Sequence, residues 1–179
     1  DTSLEIAEKG KAKQNDILEK RIKKGKLEKS EKEKILENVV PTGDVKDMAD
    51  CDIVIEAVLE NIEIKLGIFS QLDGICKPET ILASNTSSIS ISKIASAVGE
   101  SRKGRVIGTH FNSPASVMKL VEVIPGLMTA AETADEVTSL LAEIGKEPVR
   151  VKDVVGFGLN RLFHCFYLEA CRLIEEGVC

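Results

Sequence analysis

The residue types best suited to chemistry are concentrated between Val106 and Ile124, VIGTHFNSPASVMKLVEVI. His110, one of two histidines in the chain, ends one apolar run, and Glu122 lies inside a second. A charge within an apolar run is costly to bury unless it is paired. The intervening Asn112-Ser113-Pro114-Ala115-Ser116 has the composition of a turn. A hairpin centred near Ser116 sets His110 opposite Glu122, with Cβ atoms roughly 5 Å apart. The carboxylate would then fix the ring tautomer and stabilise the imidazolium, leaving the second nitrogen free to move protons. The plainer alternative is a satisfied core histidine, with the glutamate on the outer face of an edge strand.

The elements that must position this pair follow from periodicity. Ser3 to Lys24 has amphipathic helical spacing with a possible break at Gly10 and a C-cap at Gly25. Ser30-Glu31-Lys32-Glu33 resembles a capping box that opens a short helix to about Asn38, and Val39 to Thr42 is a short strand or extended link. Asp52 to Val58 is apolar and rich in β-branched residues, which predicts a buried parallel strand. Helical spacing follows from Ile62 to Cys76, a strand from Thr80 to Ser84, a short helix from Ile89 to Val98 and a strand from Arg105 to Thr109. Leu120 to Ile124 is a further strand, Ala130 to Ile144 a helix, and Pro148 to Val151 a final strand. Strands alternating with helices at these lengths predict an α/β sheet with helices on both faces.

Leu159 to Glu176 reads differently. Leu162, Phe163, Phe166, Tyr167, Ala170, Leu173 and Ile174 form an apolar stripe without a partner in the visible pattern. Such a helix is the expected start of a second, all-α domain. The organisation expected is therefore 1–154 as an α/β domain and 155–179 as the beginning of a helical one.

Composition bounds the function. The chain has 179 residues, 43% of them hydrophobic, and a formal net charge of −5. That charge offers no global attraction to nucleic acid or an anionic membrane. The basic stretch from Lys9 to Lys26 is interleaved with acids, as on a solvated helix face. No apolar run is long enough to span a bilayer, and no signal peptide is visible. The five cysteines, Cys51, Cys76, Cys165, Cys171 and Cys179, have spacing that fits neither a zinc site nor a disulfide framework. Free thiols in a reducing, cytoplasmic setting are expected, with no partner among nucleic acids or membranes and no metal. A start at Asp1 without a methionine fits a fragment or a processed piece.

In open α/β sheets, ligands bind beyond the carboxyl ends of the strands. Three successive predicted strand ends carry polar side chains: Glu60, Asn85 to Ser88, and His110. Gly156-Phe157-Gly158 begins like a dinucleotide fingerprint. Arg161 occupies its third glycine position and no strand–helix–strand unit follows, so that reading is rejected. No Walker sequence or nucleophile elbow is present. His164, on the apolar tail helix, is expected to be structural.

The segments CDIVIEAVLENIEIK, ILASNTSSISI, GTHFNSPASVMKLVEVI and VGFGLNR resemble, in matching order, those of 3-hydroxyacyl-CoA dehydrogenases, most nearly the 3-hydroxybutyryl-CoA type. The resemblance implies a doubly wound Rossmann-like NAD-binding domain, lacking its first strands and glycine-rich loop, followed by the first helix of an all-α domain that holds substrate and makes a homodimer. The implied reaction is NAD-dependent oxidation of (S)-3-hydroxyacyl-CoA to 3-oxoacyl-CoA in fatty-acid or butanoate metabolism. By the same resemblance His110 is the catalytic base and Glu122 the carboxylate that orients it. Ser87 contacts substrate and nicotinamide, and Asn160 lies near the substrate carbonyl. Asp1 binds the adenosine ribose, Glu60 and Lys65 contact NAD, and Lys24 meets the CoA phosphates. Where the family reads His-Phe-Phe-Asn-Pro, this chain reads His110-Phe111-Asn112-Ser113-Pro114, which puts Ser113 at a nicotinamide-side position. The alternatives are a non-catalytic binding relative, or one segment of a multifunctional β-oxidation protein.

Overall fold

A computed structural model describes residues 1–179. The chain divides into two compact units, Asp1–Ala49 and Asp50–Cys179.

In the first unit, α1 (Leu4–Lys23) packs with α2 (Lys29–Glu37). The break expected at Gly10 is absent. A Cβ there would meet nothing within 4 Å, and one exposed glycine costs a helix only about 1 kcal/mol. Ser3 Oγ caps the helix by accepting the Ile6 amide at 3.3 Å. Gly25, at φ +64°, follows the C-cap residue Lys24, where a left-handed residue turns the chain out of the helix. The start of α2 differs from expectation. Its first residue is Lys29, and the Glu31 carboxylate accepts the Glu28 amide at 2.8 Å. The motif is thus Glu28 with Glu31 instead of Ser30 with Glu33, because the same acid-rich run offers an acid at the required spacing two residues earlier. Val39 to Thr42 is an extended link, not a strand.

The second unit is built on five strands in the order β1 (Ile53–Glu56), β2 (Ile81–Ser84), β3 (Val106–Phe111), β4 (Leu120–Pro125) and β5 (Glu147–Arg150). The first three are mutually parallel, β4 is antiparallel to β3, and β5 is parallel to β4. Helices α3 (Ile62–Ile75), α4 (Ile91–Ile94), α5 (Ala131–Glu143) and α6 (Leu159–Glu175) complete it. This is the doubly wound, Rossmann-like arrangement. The expectation that the first strand is buried needs correction. β1 lies at the sheet edge with one strand neighbour, so Ile55 is 42% exposed while Glu56 is buried.

Alternation along the strands divides the core. Ile81, Ala83, Ile107, Val121 and Val123 face α5 and pack on Ala134, Val137 and Leu141. Full burial of a leucine such as Leu141 contributes about 1.5–3 kcal/mol. The opposite face of β3 and β4 carries Gly108 and Ile124, with α4 against it. A Cβ on Gly108 would lie 2.7 Å from the Ile91 side chain. The glycine therefore lets α4 approach β3 closely, together with the polar loop that precedes it. His110 and Glu122 share this face by the two-residue period of a strand. The apolar side chains of α6, including Leu162, Phe166 and Ile174, are exposed. No helix is long and apolar enough to cross a membrane.

Candidate active site

The hairpin register pairs His110 with Glu122, as the spacing predicts. Both are buried. His110 Nδ1 lies 2.8 Å from Glu122 Oε2, and His110 Nε2 lies 3.1 Å from Ser87 Oγ. With Glu122 as a carboxylate, Nδ1 carries the ring proton and donates it. Nε2 then holds a lone pair toward the Ser87 hydroxyl. One ring nitrogen is anchored and the other is presented, as a proton-transferring imidazole requires.

Ser87 follows β2, at the carboxyl end of that strand. Its loop is held from both sides. Asn85 Oδ1 accepts the Phe111 amide at 2.8 Å, tying the loop to the end of β3. Glu60 Oε1 accepts from Thr86 Oγ1 (2.6 Å), the Ser87 amide (2.9 Å) and both the amide and the hydroxyl of Ser88 (3.0 Å each). Burial pulls the Glu60 carboxyl upward, but these hydrogen bonds and the Lys65 charge outweigh it and hold the group at about 2. Lys65 is buried, with its ammonium 2.7 Å from Glu56 Oε1 and 3.4 Å from Glu60 Oε2. Glu56 in turn accepts the Ser84 hydroxyl at 2.7 Å. Glu60, whose side chain is 38% exposed, thus grips the Ser87 loop from the surface, with the buried Lys65 beneath it.

The second oxygen of Glu122 has partners the sequence did not announce. Oε1 accepts the amides of Gly158 (2.8 Å) and Leu159 (2.9 Å), at the N-terminus of α6. Free amides at a helix N-terminus stabilise an anion. The rejected Gly156-Phe157-Gly158 motif is therefore a turn that aims this helix end at Glu122. Gly156 adopts φ +75° and Phe157 φ +49°. The left-handed region is unfavourable for a bulky residue. Phe157 is buried, with its ring centroid 5.8 Å from that of His110, and this packing holds it in place. The only sequence signal was the pair of glycines around an aromatic residue.

Asn160 completes the cluster by donating from Nδ2 to the Ser87 carbonyl at 2.9 Å. Ser87, His110, Glu122 and Asn160 are thus brought together. Ser113 is exposed in the turn between β3 and β4. Beside it, Asn112 Nδ2 donates to the Leu120 carbonyl at 3.1 Å. Asp1 and Lys24 belong to the first unit. Both are exposed, and Asp1 Oδ1 accepts the Thr2 amide at 2.7 Å. His164 lies exposed on α6, away from the packed core that a structural histidine would occupy.

The polar groups at the strand ends form one cluster. It combines neutral hydroxyls at Ser87 and Ser88, a side-chain amide at Asn160 and one imidazole, at the edge where open α/β sheets bind ligands.

Comparison with known proteins agrees with this geometry. Residues 1–154 match the model of the 3-hydroxyacyl-CoA dehydrogenase NAD binding domain. A probable 3-hydroxybutyryl-CoA dehydrogenase of Deinococcus radiodurans is 44% identical over 178 residues, covering 99% of this chain and 63% of that protein. The crystal structure of the Escherichia coli K12 3-hydroxybutyryl-CoA dehydrogenase superposes with a TM-score of 0.95 at 41% identity, covering all of this chain and 38% of that one. The (S)-3-hydroxybutyryl-CoA dehydrogenase of Ralstonia eutropha gives 0.92 at 40% identity, covering 97% of this chain and 60% of that one. The chain thus spans less than two thirds of the length of these relatives. Family-model match, relatives and fold agree, and the chain belongs to the 3-hydroxyacyl-CoA dehydrogenase family, with the His110–Glu122 pair inside the stretch that matches its NAD-binding domain.

Proposed function

We propose that the protein carrying this chain oxidises (S)-3-hydroxyacyl-CoA to 3-oxoacyl-CoA with NAD, with 3-hydroxybutyryl-CoA and acetoacetyl-CoA as the substrate pair. The observation that carries the reading is the anchored imidazole, with Nδ1 on Glu122 and Nε2 at the Ser87 hydroxyl. A secondary alcohol loses hydride readily only as its hydroxyl proton departs. His110 Nε2 takes that proton, and Glu122 stabilises the imidazolium that results. In the reverse direction the imidazolium protonates the forming alkoxide. Ser87 and Asn160 orient the reacting carbon, where geometry has its largest leverage on rate. Bound NAD supplies the hydride-accepting ring. Ser87 and Ser113 are assigned to its nicotinamide side, Glu60 and Lys65 to support of the same region, and Asp1 to the adenosine ribose. A carboxylate at Asp1 favours NAD over a cofactor with a 2′-phosphate. Lys24 is assigned to the CoA phosphates. α6 is assigned to the start of the helical domain that holds substrate and makes a homodimer. The remaining assignments are a cytoplasmic location and a place in fatty-acid oxidation.

The test is acetoacetyl-CoA reduction followed by NADH absorbance in the full-length protein. His110→Gln is expected to lower kcat at least about 10²-fold with the fold retained. Undiminished turnover would refute the assignment.

A further inference from the structure

One carboxylate outside the His110–Glu122 pair is placed to control it. Asp153 lies in the connection between β5 and α6. Its Oδ1 accepts the Ile91 amide at 2.9 Å. Its Oδ2 accepts the Ser92 amide (2.8 Å) and the hydroxyls of Ser90 (2.9 Å) and Ser92 (2.7 Å). All four donors belong to the start of α4, directly after the Ser87 loop.

These contacts close a ring. From Asp153 the chain runs through a tight turn, where the Phe157 amide donates to the Val154 carbonyl at 2.9 Å. The turn delivers the Gly158 and Leu159 amides to Glu122 Oε1. Glu122 Oε2 holds His110, and His110 Nε2 meets Ser87. Ser87 leads within a few residues to Ser90, Ile91 and Ser92, and so back to Asp153. Asn160 braces the ring across its middle through the Ser87 carbonyl. Every link except Asp153 to α4 lies within the site already described. Cut at Asp153, the helix end that holds Glu122 and the loop that holds Ser87 keep the Asn160 hydrogen bond as their one direct tie.

We propose that Asp153 is a positioning residue for the dehydrogenase reaction: by clasping the β5–α6 connection to the start of α4, it sets the α6 amides on Glu122 and thereby the orientation of His110 against Ser87. The assignment rests on the proposed dehydrogenase activity, but the ring itself is readable without it. Asp153 touches none of the reacting groups. It acts on them through Glu122 at one end and Ser87 at the other.

The test uses Asp153→Ala and Asp153→Asn in the full-length protein, with two readouts. The first is kcat and KM for NADH and acetoacetyl-CoA. The second is the ¹⁵N spectrum of the His110 ring without ligands, identified by its loss in His110→Gln. Wild-type protein should show His110 as a single Nδ1–H tautomer. In Asp153→Ala, kcat should fall about 10–100-fold, the range expected for misplaced reacting groups. Both KM values should stay within about threefold, and the His110 signals should become a tautomer mixture. Asp153→Asn keeps one acceptor oxygen and should lie between, which preserves the test if the alanine variant does not fold. A lower melting temperature with kcat and His110 signals unchanged would reduce Asp153 to a helix cap and overturn the proposal. So would a lower kcat with unchanged His110 signals. If wild-type protein shows no dehydrogenase activity while Asp153→Ala still mixes the tautomers, the activity reading fails and the clasp stands.

Discussion

Replacing Glu122 by glutamine tests the dyad at the atom where the structure makes the sharpest statement. Glu122 accepts three N–H groups: Gly158 and Leu159 on Oε1, and His110 Nδ1 on Oε2. Glutamine offers one acceptor oxygen and one NH₂ donor. With its oxygen on the helix amides it keeps two hydrogen bonds, and its NH₂ faces Nδ1. With its oxygen on His110, its NH₂ meets two N–H groups that nothing then satisfies. At about 0.5–1.5 kcal/mol per hydrogen bond, the first orientation is favoured by about 1–3 kcal/mol. In that orientation Nδ1 must be bare, so Nε2 carries the proton and cannot act as a base. The amide is also neutral and gives an imidazolium no electrostatic support. The expected loss in kcat is therefore about 10²–10⁴-fold, with circular dichroism unchanged. NADH-linked turnover of acetoacetyl-CoA measures the rate, and ¹⁵N shifts of His110 should show its proton moved from Nδ1 to Nε2. A kcat within about threefold of wild type, or an unmoved proton, would refute the reasoning.

Two further outcomes follow from the support around the site. Glu60 is held at about 2, below the ordinary 4.5, so its stabilisation is complete above about pH 4.5 and is lost as pH falls toward 2. Thermal melts between pH 6 and 2.5 should therefore fall less steeply in Glu60→Gln than in wild type; parallel curves would show that Glu60 does not hold the Ser87 loop. Leu141→Ala removes a buried side chain between α5 and the sheet. It should cost about 2–5 kcal/mol in urea unfolding, with little change in KM, since the site lies on the other face.

Local regularities carried much of the fold. The strands expected from Asp52, Thr80, Arg105 and Leu120 begin within one residue of the observed starts Ile53, Ile81, Val106 and Leu120. The turn-like Asn112–Ser116 segment was enough to put His110 opposite Glu122. Where boundaries moved, the local signals admitted more than one solution. Gly10 is tolerated in α1 because it is exposed, and Glu28 with Glu31 displaced Ser30 with Glu33. β1 misled for a different reason: an apolar run does not reveal how many neighbours its strand has.

What the sequence determined alone was the pairing of one imidazole with one carboxylate, since strand period and turn chemistry act over a few residues. What only the tertiary structure decided was everything that fixes that pair. The α6 amides reach Glu122 across 36 positions, Glu60 grips the Ser87 loop across 27, and Asp153 ties α4 across 62. No local preference encodes such contacts. The buried Glu122 must find donors wherever the packed chain brings them, and the more exposed Glu60 and Asp153 hold the amides and hydroxyls that the same packing sets beside them.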